Sequence, residues 1–278
     1  MTIESWLAER TTNGVLGPQA ERVAHLLVRM PQFASYSSAR EIAERAGVNV
    51  STVVRMAQQL GFDGWPQLRE ELRALYLASV SSGDISLGPA AADPAAQMLR
   101  QDAHNITALT TPDNLAAIRA TAQAIKTARR TLIISSGSGA GPAQILSYLG
   151  TIAGHDVQVS LDSATSQAVH VARLREGDCL VTINVWRLTR TLRGLTRLAR
   201  QRGATISVLT DLRSSPLAED ADHLVITPIE ATHPGPSLTG VVAAVQAILS
   251  ELADDDALRS SGDIQQLWQE LDLMDDQP

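Results

Sequence analysis

This sequence predicts two domains: a small all-α unit containing a helix-turn-helix, and an α/β unit built on a five-stranded parallel sheet flanked by helices. Three observations lead there. Helical periodicity, broken at Gly14–Pro18, Pro31, Gly47 and Gly61, fills residues 1–77. The stretch SVSSGDISLGPAAADP, residues 79–94, is rich in Ser, Gly, Ala and Pro and reads as a linker. From residue 95 onward, short apolar runs alternate with helical segments of about 10–15 residues, the signature of a parallel sheet covered on both faces. The expected bounds are 1–77 for the helical domain, 78–94 for the linker and 95–278 for the α/β domain.

Within residues 38–61 the helix signals are local and strong. Ser38 and Glu41 form a capping-box pattern, in which the hydroxyl bonds a free backbone N–H while the carboxylate reaches back. Ala39, Ile42, Ala43 and Ala46 then give one apolar face, and Gly47 permits a left-handed cap. Val48 is the expected buried turn residue, Asn49 caps the next helix, about Val50–Leu60, and Gly61 ends it. Two short helices joined by such a turn form a helix-turn-helix pattern, whose second helix would enter the major groove. Spacing alone leaves an ordinary helical hairpin open. The second helix, however, carries no acid on its outer face, whereas a merely solvated face mixes signs. Its outer types suit DNA: Arg pairs with guanine, Gln with adenine, and hydroxyls with phosphate or base. The expected DNA-facing set is Ser38, Arg40, Asn49, Val50, Ser51, Thr52, Arg55, Gln58 and Gln59.

The segment EIAERAGVNVSTVVRMAQQLGFDGWPQLREEL resembles the N-terminal domain of the RpiR/MurR family of bacterial transcriptional regulators. The resemblance lies in the E-I-A opening, the A-G-V turn, the T-V-V-R stretch, the L-G-F close and Trp65. It implies a DNA-binding role for Ser51, Thr52 and Arg55, and a further helix with Arg69 and Arg73, which either meet the DNA backbone or pair with acids such as Glu70.

In the second zone, helical stretches at about 95–109 and 113–128 precede the apolar runs TLIIS (131–135), VQVS (157–160), CLVTIN (179–184), TISVLT (205–210) and HLVIT (223–227). The first run leads through Ser136-Gly137-Ser138-Gly139-Ala140-Gly141 into a helix. Glycine lets backbone approach a ligand, and the helix start offers free N–H groups, a combination that favours phosphate or carboxylate. A dinucleotide site is one reading, with Gly137, Gly139 and Asp162 in place, but Pro142 stands where its third small residue belongs. The other is a sugar isomerase (SIS) domain, which the resembled family carries after its DNA-binding domain. Gly137–Ala140 and the T-D-x-x-x-S-P-L-A stretch Thr210–Ala218 resemble that domain.

Departures from the SIS pattern fall on the loops that bind sugar phosphates in it. The closing Ser of the first loop is Gly141. The usual Ile-Ser-x-Ser-Gly-x-Thr of the second is Ile183-Asn184-Val185-Trp186-Arg187-Leu188-Thr189, so only Thr189 survives. Two hydroxyls are exchanged for a guanidinium and an indole. Arg187 and Arg190 can grip an anion, and Trp186 can stack on a ring or cation. The expected effector set is Ser136, Gly137, Ser138, Gly139, Gly141, Asn184, Trp186, Arg187, Thr189 and Arg190, while Arg193, Arg197 and Arg200 are read as a solvated face.

Composition bounds these readings. The chain has 278 residues, 44% hydrophobic and 19% charged, with a formal net charge of −7. That charge argues against a DNA binder until it is divided along the chain. Residues 1–77 hold eight Arg against eight acids, while residues 251–278 hold one Arg (Arg259) and nine acids. The acid excess is therefore a C-terminal tail. A lone Cys179 excludes an internal disulfide and a cysteine zinc cluster and suits a reducing cytoplasm. No apolar run reaches the roughly 18–20 residues that span a membrane, and MTIESWLAER has no signal core. No histidine pair has zinc-helix spacing; Asp220, Asp222 and His223 leave a metal role open. Asp263–Met274 puts Ile264, Leu267, Leu271 and Met274 on one face, as in a packing or oligomerisation helix. The resulting expectation is a cytoplasmic, ligand-responsive regulator. It binds a double-stranded DNA operator and a small polar or anionic effector, works as a homodimer or homotetramer and needs no cofactor. The alternative is a sugar-phosphate isomerase with an accessory helical domain, but the loops after the first and third strands carry no Glu or His to act as base.

Overall fold

A computed structural model describes residues 3–11, 16–82, 93–213, 215–233 and 235–275. The chain divides into two compact units, residues 1–90 and 91–278.

The first unit contains α1 (Ile3–Thr11), α2 (Pro18–Arg29), α3 (Pro31–Tyr36), α4 (Ala39–Ala46), α5 (Val50–Gln59) and α6 (Trp65–Ser82). Prolines open α2 and α3, where a missing N–H costs nothing; Gly14 lies outside the described residues. α4 begins with the expected capping box, Ser38 Oγ accepting the Glu41 N–H and a Glu41 carboxylate oxygen accepting the Ser38 N–H at 2.7 Å. It ends at Gly47 with φ +65°, a conformation that glycine adopts without strain. The core joins Ile3, Trp6 and Leu7 to Val23, Leu27, Ile42, Val53, Met56, Leu68 and Leu72. Trp65 is buried within it and donates Nε1–H to the Ser37 carbonyl at 2.9 Å.

Three local expectations change. Asn49 occupies the cap position of α5 but makes no side-chain capping bond. Val48 is half-buried. α6 continues to Ser82, into the expected linker, and the next helix starts at Pro94. The remaining linker residues, 83–92, lie outside the described residues.

The second unit runs α7 (Pro94–Ala108), α8 (Pro112–Thr127), β1 (Thr131–Ser135), α9 (Ala140–Ile152), β2 (Val157–Ser160), α10 (Ala164–Ala172), β3 (Cys179–Asn184), α11 (Arg190–Gln201), β4 (Thr205–Thr210), β5 (His223–Ile226), α12 (Thr239–Leu252) and α13 (Asp255–Glu270). Among the described residues the strands form one sheet, ordered β2-β1-β3-β4-β5 and parallel throughout. β1 and β3 are buried along their whole length, which explains their unbroken apolar runs. Alternate residues serve opposite faces. Ile133, Val181, Ile183, Leu209 and Val225 pack with α8, α9 and α12. Leu132, Ile134, Leu180, Ile206 and Val208 pack with α10 and α11.

The strand order sets the site. The chain leaves β1 through α9 on one face and leaves β3 through α11 on the other. Their loops therefore diverge, opening a crevice at the carboxyl ends of β1 and β3, where ligands bind in open α/β sheets. A dinucleotide fold of the six-stranded kind places its strands in a different order, and with it goes the dinucleotide reading of Gly137, Gly139 and Asp162.

The α13 expectation is corrected. The helix starts at Asp255 and ends at Glu270, leaving Leu271 at its cap and Met274 beyond it. It rests on α9, and Ser260 lies against Gly154 in the turn that follows α9. Ile264 is half-buried, while Leu267, Leu271 and Met274 are exposed.

The edge strand β5 is closed by one side chain. Asn114, at the start of α8 and 4% exposed, donates to the Ile226 carbonyl at 2.8 Å and accepts the Ile226 N–H at 2.9 Å. It stands in for a sixth strand at that residue. Asn114→Ala leaves a buried donor and acceptor bare and is expected to destabilise the α/β unit by about 2–4 kcal/mol. Chemical denaturation checks this, and a loss below about 0.5 kcal/mol contradicts the role given to Asn114.

Candidate functional site: a reading helix and a loop pair at the sheet switch point

In the helical unit, α5 buries Val53, Met56, Ala57 and Leu60. Of the remaining positions, Ser51, Arg55, Gln58 and Gln59 are exposed, Val50 is 44% exposed, and Thr52 and Val54 are half-buried. The apolar spacing of the sequence therefore places the polar set on one free face, with no acid among these residues. Arg55 folds back along α5, donating from Nε to the Ser51 carbonyl at 3.2 Å and from Nη2 to Ser51 Oγ at 3.3 Å. Asn49 is exposed at the start of α5. On α4, Ser38 spends its hydroxyl on the cap, and Arg40 pairs with Glu44 at 3.0 Å in full solvent, a contact worth little. The Arg73 guanidinium lies over the Tyr36 ring, 4.7 Å from its centroid.

In the α/β unit, the loops after β1 and β3 touch. Ser135 Oγ donates to the Ile183 carbonyl at 2.8 Å, and Ser138 Oγ approaches the Val185 carbonyl at 3.5 Å. Gly139 fits between them, because a Cβ there would stand 2.4 Å from Ser135 Oγ and 2.9 Å from the Ile183 oxygen. Gly137 turns at φ +59°. Gly141, by contrast, faces open space. Nothing steric excludes a serine there, so losing the usual hydroxyl changes the chemistry without being forced by packing. Ser136 and Ser138 are half-buried at the loop rim.

The second loop is built around Trp186, whose φ of +78° is left-handed. For a bulky residue this costs on the order of 1–3 kcal/mol and persists only where neighbours enforce it. Two constraints are evident. The indole packs against the core under α8, α9 and α12. Its backbone N–H is held by the carboxyl of Asp211, the residue following β4. Burial pushes the Asp211 carboxyl up from 3.8 to about 7, a rise that its own backbone N–H, that of Trp186 and the Thr210 hydroxyl oppose and the nearby Glu230 charge increases. Because the folded value lies above the unfolded one, this group's contribution to stability is present below about pH 4 and is lost as pH rises through about 7. Asp211 is absent from the sequence-derived set. Two signals pointed to it, its place at the carboxyl end of a parallel strand and its position in the T-D-x-x-x-S-P-L-A stretch.

Around Trp186 the predicted residues divide. Asn184 is 2% exposed and its Oδ1 has no hydrogen-bond partner. Arg187 is exposed, with its guanidinium 6.0 Å from the Trp186 ring centroid. Thr189 caps α11, its hydroxyl oxygen accepting the Leu192 N–H at 3.2 Å. Arg190 is exposed and lines a groove of about 290 Å³ with Arg193, Gly194 and Arg197.

The later arginines of α11 lie at the surface and pair there with acids. Arg193 and Arg197 approach Glu219 at 3.5 and 3.4 Å, and Arg197 also approaches Asp220 at 3.5 Å. Arg200 bonds Asp222 at 2.9 Å and the Asp220 carbonyl at 3.0 Å. These pairs tie α11 to the β4–β5 connection, and they occupy the acids that the sequence left open for a metal. Cys179 is buried and its thiol is pushed up to about 12, which makes it inert.

Comparison with known proteins follows the same division. A family model described as "Helix-turn-helix domain, rpiR family" matches residues 12–79, and one described as "SIS domain" matches residues 124–253. The HTH-type transcriptional regulator RpiR of Escherichia coli K12 is 26% identical over 217 residues, covering 76% of this chain and 72% of its own. A crystal structure of an RpiR transcription factor from Sphaerobacter thermophilus (sugar isomerase domain) is 26% identical, covers 62% of this chain and 97% of its own, and superposes with a TM-score of 0.58. The NanR protein of Vibrio vulnificus, complexed with ManNAc-6P, covers 97% of this chain and 99% of its own with a TM-score of 0.62; at 16% identity it shares the fold. With the two models matched in this order over more than half its length, the chain belongs to the RpiR family of helix-turn-helix transcriptional regulators and carries a SIS domain.

Proposed function

We propose that the chain is a ligand-responsive regulator that reads DNA through the outer face of α5 and senses a small polar or anionic metabolite between the loops after β1 and β3. The observation that carries this reading is the acid-free outer face of α5. An Arg, two Gln and two hydroxyls stand there on a helix whose opposite side is locked into a core. Because the overall charge is −7, general attraction to phosphate is weak, and specificity falls to these few side chains and to the pairing of two subunits on a pseudo-palindromic site.

For the effector, the loop chemistry favours an anion gripped by Arg187 and Arg190 and a flat or ring-bearing body against Trp186. Sugar acids and phosphorylated sugar derivatives carry both features. We place the protein in the cytoplasm as a homo-oligomer, consistent with its buried thiol and with the absence, among the described residues, of a helix long and apolar enough to cross a membrane. We read it as a sensor without turnover. No Glu or His stands on the loops after β1 and β3, and Asp211, whose carboxyl holds the Trp186 N–H, is occupied by backbone N–H groups.

Two substitutions test the two halves. Arg55→Ala is expected to weaken binding to a selected operator by about 1–3 kcal/mol at fixed salt. Titration by fluorescence anisotropy measures this, and unchanged affinity removes Arg55 from the contact set. Arg187→Ala is expected to abolish the thermal shift given by the effector, about 2.7 kcal/mol of stabilisation at a hundredfold excess over Kd, while leaving operator affinity intact. A full shift in that variant places the effector elsewhere.

A further inference from the structure

α5 is held along its length by the core of the helical unit, and its C-terminal end has a separate anchor. α1, which ends at Thr11, precedes the whole of the stretch matched by the helix-turn-helix family model, residues 12–79. It buries Ile3, Trp6 and Leu7 in the same core as α5. From its last turn the Arg10 guanidinium reaches the end of α5, Nη1 donating to the Leu60 carbonyl at 3.0 Å. The guanidinium carbon lies 4.8 Å from the Trp6 ring centroid and 5.0 Å from that of Phe62, and the two rings are 6.0 Å apart.

Each of these contacts has a physical reason. Leu60 is the C-cap of α5, where carbonyls lack helical donors and the helix dipole is negative. A planar cation lies well against indole and phenyl faces while its edge keeps donating. Between the two contacts, Gly61 turns the chain at φ +89°, with Arg10 Nη1 3.9 Å from where its Cβ would stand. One side chain thus grips residues 60–62, the point at which α5 stops.

We infer that Arg10 is a positioning residue for base reading. It fixes the axial position and tilt of α5, so that Ser51, Thr52 and Arg55 at the other end of the helix meet base edges in register. The inference rests on the reading of α5 as the recognition helix. Bidentate contacts to base edges demand a fixed geometry, whereas contacts to phosphates tolerate small shifts. Loss of the anchor therefore weakens specific binding more than general binding. A purely structural role would lower both together.

The full chain is first used to select a binding sequence from a random duplex pool. Wild type, Arg10→Gln and Arg10→Lys are then titrated at one salt concentration against the selected duplex and an unrelated one, below the melting temperature of each variant. Arg10→Gln is expected to lose about tenfold on the selected duplex and less than about twofold on the unrelated one. Arg10→Lys, which keeps a charge and a donor for the Leu60 carbonyl but has no planar face, recovers part of the loss. Equal losses on both duplexes, or none, overturn the inference. If Arg10→Gln does not fold, the same comparison on Arg10→Lys decides, a larger loss on the selected duplex supporting the inference and equal losses overturning it. A wild-type chain that selects no sequence overturns the recognition-helix reading and the inference with it, a result distinct from the other two.

Discussion

A parallel sheet whose strands run outward first on one side and then on the other must send consecutive connections to opposite faces. In this chain the change of direction falls between β1 and β3, and the arrangement of the α/β unit follows from it. α9 and α11 leave on different faces, and their loops part at the carboxyl ends of the strands. The chain can place a ligand there without opening its core. Small residues where the loops meet are the steric consequence, and Gly139, pressed against Ser135 and Ile183, is the position with no room to vary.

What fills the second loop departs from the SIS pattern that the rest of the domain follows. A tight hydroxyl-lined turn is replaced by an indole in a left-handed conformation, flanked by two exposed guanidiniums. The strain at Trp186 is sustained by packing on one side and by the Asp211 carboxyl on the other. An arrangement enforced from two sides is pre-organised, which lowers the ordering cost of binding. Its chemistry differs from that of a hydroxyl nest. Arginine forks favour planar anions, and the buried, unpartnered Asn184 Oδ1 leaves one acceptor beneath the loop.

The parts legible in the sequence are those set by local or periodic rules. β1, β2, β3 and β4 have the bounds of their apolar runs, and β1 and β3, buried along their whole length, are the most continuously apolar of them because both sheet faces are covered there. α4 begins and ends at Ser38 and Gly47 because a capping box and a left-handed glycine need only neighbouring residues. The outer face of α5 followed from the spacing of Val53, Met56, Ala57 and Leu60. What escaped depends on partners far along the chain. Asp211 meets Trp186, Asn114 meets Ile226 and Arg10 meets Leu60 across separations that no window of sequence displays. The exposed arginines of α11 also find partners that the sequence did not show, because the acids sit on the β4–β5 connection. α13 shifted by a turn or two because its acidic start, capped by Asp254, fixes the helix beginning more firmly than its apolar face does.

We propose that one chain couples a DNA-reading helix to a ligand held at the sheet switch point. The most direct measurement is a titration of the full-length protein against a duplex it selects, repeated with a panel of sugar acids and phosphorylated sugar derivatives. At least one compound is expected to change duplex affinity by about fivefold or more, in the range of ordinary allosteric coupling, and Arg187→Ala is expected to remove the change without altering affinity in the absence of the compound. A compound that binds at the β1 and β3 loops yet leaves duplex affinity unchanged, or an Arg187→Ala variant that still responds, would contradict it.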